Sequence, residues 1–189
     1  PDPDGHWLRI LGAALKEFLA YEESFRMPTV WGVFWDFGSL HQHPPDGQRS
    51  DEESSYFNEG LRGLGPLYAH PHTTVLRLTA LPTFAAPLPD GFNSANYMDR
   101  GWCFTEASWA SLTKASELSL DLGRLPSHGE CGDLISIINQ CSCGGGRMPP
   151  LLPSQFATIV ASKAFTNGKS DPALVRQLYE DAYEEQFRQ

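Results

Sequence analysis

The run TVWGVFWDF, residues 29–37, leaves a folding chain few options. Laid out with side chains alternating between two faces, it sets Val30 and Phe34 on one face and Trp31, Val33, Trp35 and Phe37 on the other. A strand apolar on both faces has to be covered on both, which is the condition of a parallel sheet between helices. A β-branched run, TTVLRLTAL (73–81), and a short third one, ELSLDLG (117–123), follow it. Helical patterns separate the three, and no hairpin turn joins any two of them. The pattern predicts an α/β fold, a mostly parallel sheet flanked by helices.

The helical segments are legible from spacing. Trp7, Leu8, Leu11, Leu15, Phe18 and Leu19 recur at helical intervals between His6 and about Glu23, with Asp4 placed to cap the start. Ser50 and Glu53 form a capping-box pattern that opens a helix to about Tyr68, weakened toward its end by Gly60, Gly63, Gly65 and Pro66. A third helix is expected from about Arg100 to Lys114, and LISIINQ (134–140) reads as either a strand or a short helix. PSQFATIVASKAF (153–165) reads as a helix, and Asp171 with Pro172 starts a stronger one. At 189 residues the chain suits one domain. Its expected parts are an α/β core over 1–123, an irregular insertion rich in Cys, Gly and Pro over 124–152, and C-terminal helices over 153–189 packing on the same domain.

Charge and composition exclude several roles. With 23 acidic against 14 basic residues and a net charge of −9, the chain lacks the basic surface that nucleic acid or anionic lipid demands. No apolar run approaches the roughly 18 residues of a membrane span, so no membrane insertion is expected. The chain opens at Pro1 without an initiator methionine, as a fragment or a processed product would. Its four cysteines fit a reducing, cytoplasmic setting better than a disulfide framework. His128, Cys131, Cys141 and Cys143 are soft donors, but the single-residue gap in CSC is atypical for zinc, and His41, His43, His70 and His72 sit in proline-flanked loops. No metal is expected.

In open α/β sheets, ligands bind outside the carboxyl ends of the strands. Asp36 lies near the end of the first run, with Ser39 and Gln42 just beyond, and Glu106 falls in the second turn of the helix after the second run. Geometry of this kind brings both carboxylates to one edge. Glu106 has Trp102, Cys103, Trp109 and Ala110 as helical neighbours, so its carboxylate lies on an apolar stripe. Such a group either serves chemistry through a raised pKa or forms a structural pair, here with Arg100 or Arg77. Asp36 is either a ligand group or a cap for loop amides, and Ser39 lacks a nucleophile-elbow pattern around it.

VFWDFGSLHQ, then TTVLRLTAL, then YMDRGWCFTEASWASL resembles the Toll/interleukin-1 receptor (TIR) superfamily, and more loosely fungal heterokaryon-incompatibility proteins. The chain is more closely similar to protist and bacterial TIR-like proteins, through PDPDG at its start and FTNGKSDPALVRQLY near its end. The resemblance implies a flavodoxin-like three-layer sandwich whose first strand is missing here, so that self-association or a partner chain would complete the sheet. It also implies cleavage of the nicotinamide–ribose bond of NAD, a substrate and not a cofactor, by a hydrolase centred on Glu106. Asp36, Ser39, Gln42, Arg100 and Trp102 would line the nucleotide site. Many domains of this superfamily act only as assembly modules, and that use remains the alternative.

Overall fold

In the computed structural model, the described residues are 2, 5–25, 30–44, 47–81, 94–126, 131–142, 148–165 and 171–187. Seven helices and two strands are formed among them: α1 (His6–Ser24), α2 (Asp36–Ser39), α3 (Asp51–Ala69), β1 (Val75–Arg77), α4 (Gly101–Thr113), β2 (Ser119–Asp121), α5 (Leu134–Cys141), α6 (Pro153–Val160) and α7 (Asp171–Phe187). The two strands pair in parallel, Val75 opposite Ser119 and Arg77 opposite Asp121. The architecture is helix-dominated, with a small parallel sheet flanked by helices.

Two apolar clusters hold it together. The larger joins α3, α4, α6 and α7 around Trp109, Phe156, Val160, Val175 and Tyr179, all at most 1 % exposed. The Phe156 and Tyr179 rings stack with centroids 3.9 Å apart, and Tyr179 donates its hydroxyl proton to the Leu151 carbonyl at 2.8 Å, so a buried phenol is satisfied. The smaller cluster sets Ile10, Ala14 and Phe18 of α1 against Leu134, Ile137 and Cys141 of α5, with Leu120 and Leu122 between them. Burial decides between the two readings of 134–140: Leu134, Ile137 and Cys141 fall at helical spacing and share one covered face. The expected irregular insertion therefore carries a core helix.

Local signals place most helix starts. The Ser50 hydroxyl accepts from the Glu53 amide at 3.2 Å while the Glu53 carboxylate accepts from the Ser50 amide at 2.8 Å, closing the capping box. Helix α3 runs through Gly63, Gly65 and Pro66 to Ala69 because Leu61, Leu64 and Ala69 are buried against α4 and α7, and packing outweighs propensity. At α1 the N-cap is Gly5, and the Asp2 carboxylate accepts from the first-turn Leu8 amide at 3.0 Å; Asp4 lies outside the described residues. Buried Thr105, Ser108 and Ser111 of α4 turn their hydroxyls back onto the carbonyls of Gly101, Phe104 and Ser108, so each polar group is satisfied within the helix.

The first expected strand is not formed. Residues 30–35 carry no regular structure, Asp36 opens the single turn of α2, and every side chain from 30 to 39 is exposed. Val30 is 98 % exposed, and Trp31, Phe34, Trp35 and Phe37 are each at least 37 % exposed. An interior strand needs a hydrogen-bonded neighbour on each side, and the described sheet ends at β1. The other two expected strands shrink to three residues each, and short 3-10 turns border β2 on both sides.

Candidate functional site

Chain tracing from β1 into α4 sets up the site. After β1 the chain reaches a 3-10 turn at Tyr97–Asp99 and enters α4 at Gly101. The start of α4 is clamped: Gly101 donates its amide proton to the Ala164 carbonyl, and Ala164 donates to the Asp99 carbonyl, both at 2.8 Å. Phe165 lies over Gly101 so closely that an added Cβ would stand 2.1 Å from the ring. In the first two turns of α4, Cys103 and Glu106 lie within electrostatic reach of Tyr68 near the end of α3.

A second close approach brings in Asp36. Leu40, just after α2, packs on the larger cluster beside Gly60 of α3, where an added Cβ would lie 2.5 Å from Leu40 Cδ2. That seat sets α2 above α3. The Asp36 carboxylate accepts from the Phe37 amide at 2.7 Å and lies within electrostatic reach of Glu106, Tyr68 and Cys103. Asp36 and Glu106, 70 positions apart in the chain, therefore share one locality.

Electrostatics single out Glu106. Burial, reinforced by the negative charge of Asp36, pushes its carboxyl from an ordinary value of 4.5 up to about 8, against a hydrogen bond from Tyr68 that favours the charged form. At neutral pH it is mainly a neutral acid. The residue is half-buried, so the group is shielded without being sealed in. Around it, burial first and Glu106 second drive the Tyr68 and Tyr97 phenols well above their ordinary range. The same two causes, opposed by Arg100, push the Cys103 thiol up to about 12, so this sulfur is a poor nucleophile. Among the described residues no arginine forms an ion pair with Glu106, which leaves the structural-pair alternative without its partner. The site is a shielded acid, a second carboxylate and two phenols, an arrangement suited to holding a proton or stabilising developing positive charge.

The other expected residues are placed less directly. Ser39 Oγ accepts from the Trp35 amide at 3.0 Å, and the Gln42 amide group donates to the carbonyls of Leu40 at 3.0 Å and Asp36 at 3.4 Å, so both brace the exposed turn that carries Asp36. Arg100 Nε donates to the Ala95 carbonyl at 2.8 Å, tying down the approach to α4. Trp102 points elsewhere: its indole donates to the Asp171 carboxylate at 3.0 Å, at the start of α7. Cys103 is one of the helical neighbours of Glu106 that the sequence marks, whereas Tyr68 and Tyr97 carry no signal of their own in it. A chemical signal for them exists, since a carboxyl on an apolar stripe calls for hydroxyl donors as well as cations, and tyrosines stand in the preceding helix and turn.

No group of three His, Cys, Asp or Glu side chains suited to a metal is assembled among the described residues. Cys131 and Cys141 both belong to the smaller apolar cluster, while His128 and Cys143 lie outside the described residues. No protein-family model, curated protein or solved structure matches the chain.

Proposed function

We propose that the chain is a TIR-like domain that cleaves the nicotinamide–ribose bond of NAD, with Glu106 as its key carboxylate. The observation that carries the proposal is the shielded Glu106 carboxyl within electrostatic reach of Asp36, a residue from a distant segment, with the Tyr68 phenol beside it. Nicotinamide is a cationic pyridinium in NAD, and its departure leaves oxocarbenium-like charge on the ribose. A bound cation lowers the pKa of Glu106 toward ionisation, and the resulting carboxylate stabilises that charge through the transition state. Asp36 reinforces the negative field, Tyr68 lies beside the carboxylate, and Ser39 and Gln42 brace the turn of Asp36 while Arg100 ties down the approach to α4. Free thiols at Cys103, Cys131 and Cys141 suit the reducing cytoplasmic setting in which such an enzyme would meet NAD.

Nicotinamide release from NAD tests this reading. Because the active form of Glu106 is ionised, kcat/KM should rise with pH toward the group's pKa of about 8 and level off above it. Glu106→Gln should abolish the rise and lower turnover by roughly 100-fold or more. Equal turnover by wild type and Glu106→Gln across the range would remove Glu106 from the mechanism.

A second reading rests on a different observation. The exposed aromatic run at 30–37 has the pattern of an interior strand, and among the described residues β1 has a strand neighbour on one side only. In this reading a strand from a partner, or from a second copy, enters beside β1 and recruits 30–37, giving a fuller three-layer sandwich in an assembly module. Light scattering would report association that wild type shows and a Trp35→Ser, Phe37→Ser double variant loses. A monomer at all concentrations, with no partner-dependent gain in strand content, would oppose it.

A further inference from the structure

Asp36 reaches the site on a segment with few anchors. Among the described residues from 36 to 49, every one is exposed except Leu40 and Arg49. Helix α2 is a single turn, closed by the Leu40 amide donating back to the Asp36 carbonyl at 3.0 Å. Leu40 seats on the larger cluster beside Gly60, which fixes one point of the segment. A single apolar point leaves the turn free to pivot, so a second anchor decides where the Asp36 carboxylate stands.

Arg49 supplies that anchor. Its Nε donates to the His41 carbonyl at 2.5 Å, gripping the residue next to Leu40. Its guanidinium carbon lies 3.5 Å from the centre of the Phe57 ring, and Phe57, in the second turn of α3, packs against the larger cluster. A planar, delocalised cation donates from its edge while its face rests on a ring, which an ammonium cannot do at once. Glu53 lies within electrostatic reach of Arg49 and is itself held in the capping box of α3, so the guanidinium is drawn to the same end of that helix. The remaining ties are weaker. His41 Nδ1 stands 3.9 Å from the Glu53 carboxylate with both side chains exposed, and its ring centre is 6.0 Å from that of Tyr56.

We infer that residues 36–49 form an arm latched to α3 by Arg49, a positioning residue that holds Asp36 near Glu106, and that releasing the latch withdraws Asp36 from the site. The inference rests on the reading of Asp36 and Glu106 given above. The arm is able to leave α3 with little disturbance to the core, because Leu40 alone of its described residues packs on either apolar cluster. Latched, the site presents two carboxylates to a cationic group; released, it presents Glu106 without its negative neighbour.

The full chain is titrated by NMR through the Glu106 carboxyl carbon. Arg49→Gln should lower the Glu106 pKa by roughly half a unit, the shift expected of Asp36→Asn, because the like charge moves away. The sign separates this from a direct field, since loss of a nearby cation raises a carboxyl pKa. Adding Asp36→Asn to Arg49→Gln should bring no further shift. Arg49→Lys, which keeps the charge and a donor but not the flat face, should fall between wild type and Arg49→Gln. Phe57→Leu, which leaves net charge unchanged and keeps apolar bulk, should lower the pKa in the same direction, and it decides the matter if Arg49→Gln does not fold. Hydrogen exchange of the amides from 36 to 42 should quicken severalfold in Arg49→Gln while α4 and α7 stay as in wild type. A Glu106 titration unmoved or raised in Arg49→Gln, or shifts that add in the double variant, would overturn the inference. None of these readouts needs NAD, so a wild type that releases no nicotinamide defeats the catalytic reading while the titration still decides the latch. Where both hold, kcat/KM for nicotinamide release should drop severalfold in Arg49→Gln.

Discussion

Two aromatic regions of this chain have similar composition and opposite fates. Residues 30–37 hold two tryptophans, two phenylalanines and two valines, and all stand at the surface. The core of α3, α4, α6 and α7 gathers Phe104, Trp109, Phe156 and Tyr179, none more than 4 % exposed. The core residues lie at helical spacing on segments whose backbone is satisfied internally, so burial needs only another helix face. The segment 30–37 has strand spacing, and its backbone can be buried only if another strand takes up its hydrogen bonds. Apolar character alone does not bury a segment; its backbone needs partners as well.

The candidate site sits on the seam between these regions, Asp36 coming from the exposed one and Glu106 from the buried one. The contrast can be tested by breaking each side in turn. Tyr179→Ala or Trp109→Ala should lose roughly 3–5 kcal/mol in urea unfolding, through the cavity each leaves. Trp35→Ala or Phe37→Ala should each stay within about 0.5 kcal/mol in the isolated chain. A core-sized loss for Trp35→Ala would mean that this segment is already covered.

Glu106→Gln is expected to have the next largest effect, and it should stabilise. The folded-state pKa of about 8 lies above the ordinary 4.5, so the folded chain keeps a proton that the unfolded chain releases between those values. Stability therefore falls as pH rises through that window, and the cost is fully present above pH 8. Replacing the acid should gain on the order of 3 kcal/mol at pH 9, less than the full shift implies because the residue is only half-buried, and almost nothing at pH 4. Denaturation at the two pH values checks the difference; an equal effect at both would mean that the carboxyl is not shielded.

Smaller effects probe the links between regions. Trp102→Phe removes the indole hydrogen bond to Asp171 at the start of α7 and should cost about 1 kcal/mol, read from the same unfolding curves. Asp36→Asn removes a like charge and should lower the Glu106 pKa by roughly half a unit, visible in the carboxyl carbon signal of Glu106 during NMR titration. An unmoved Glu106 titration would mean that the exposed turn and the buried acid do not communicate.

Sequence by itself determined α1, α3, α4, α6 and α7, because their signals are local: the Ser50–Glu53 box, Pro153 and Asp171 at helix starts, and apolar spacing through α1 and α4 all concern residues within a turn or two of each other. It also marked Glu106, since a carboxylate on an apolar stripe is conspicuous without coordinates. Only the tertiary structure decided that 134–141 is a helix, that Trp102 turns to Asp171, and that Tyr68 and Tyr97 surround Glu106, because these depend on which faces meet. The same holds for 30–37: its alternation was plain to read, but a strand exists only with its neighbour, and the described sheet gives it none.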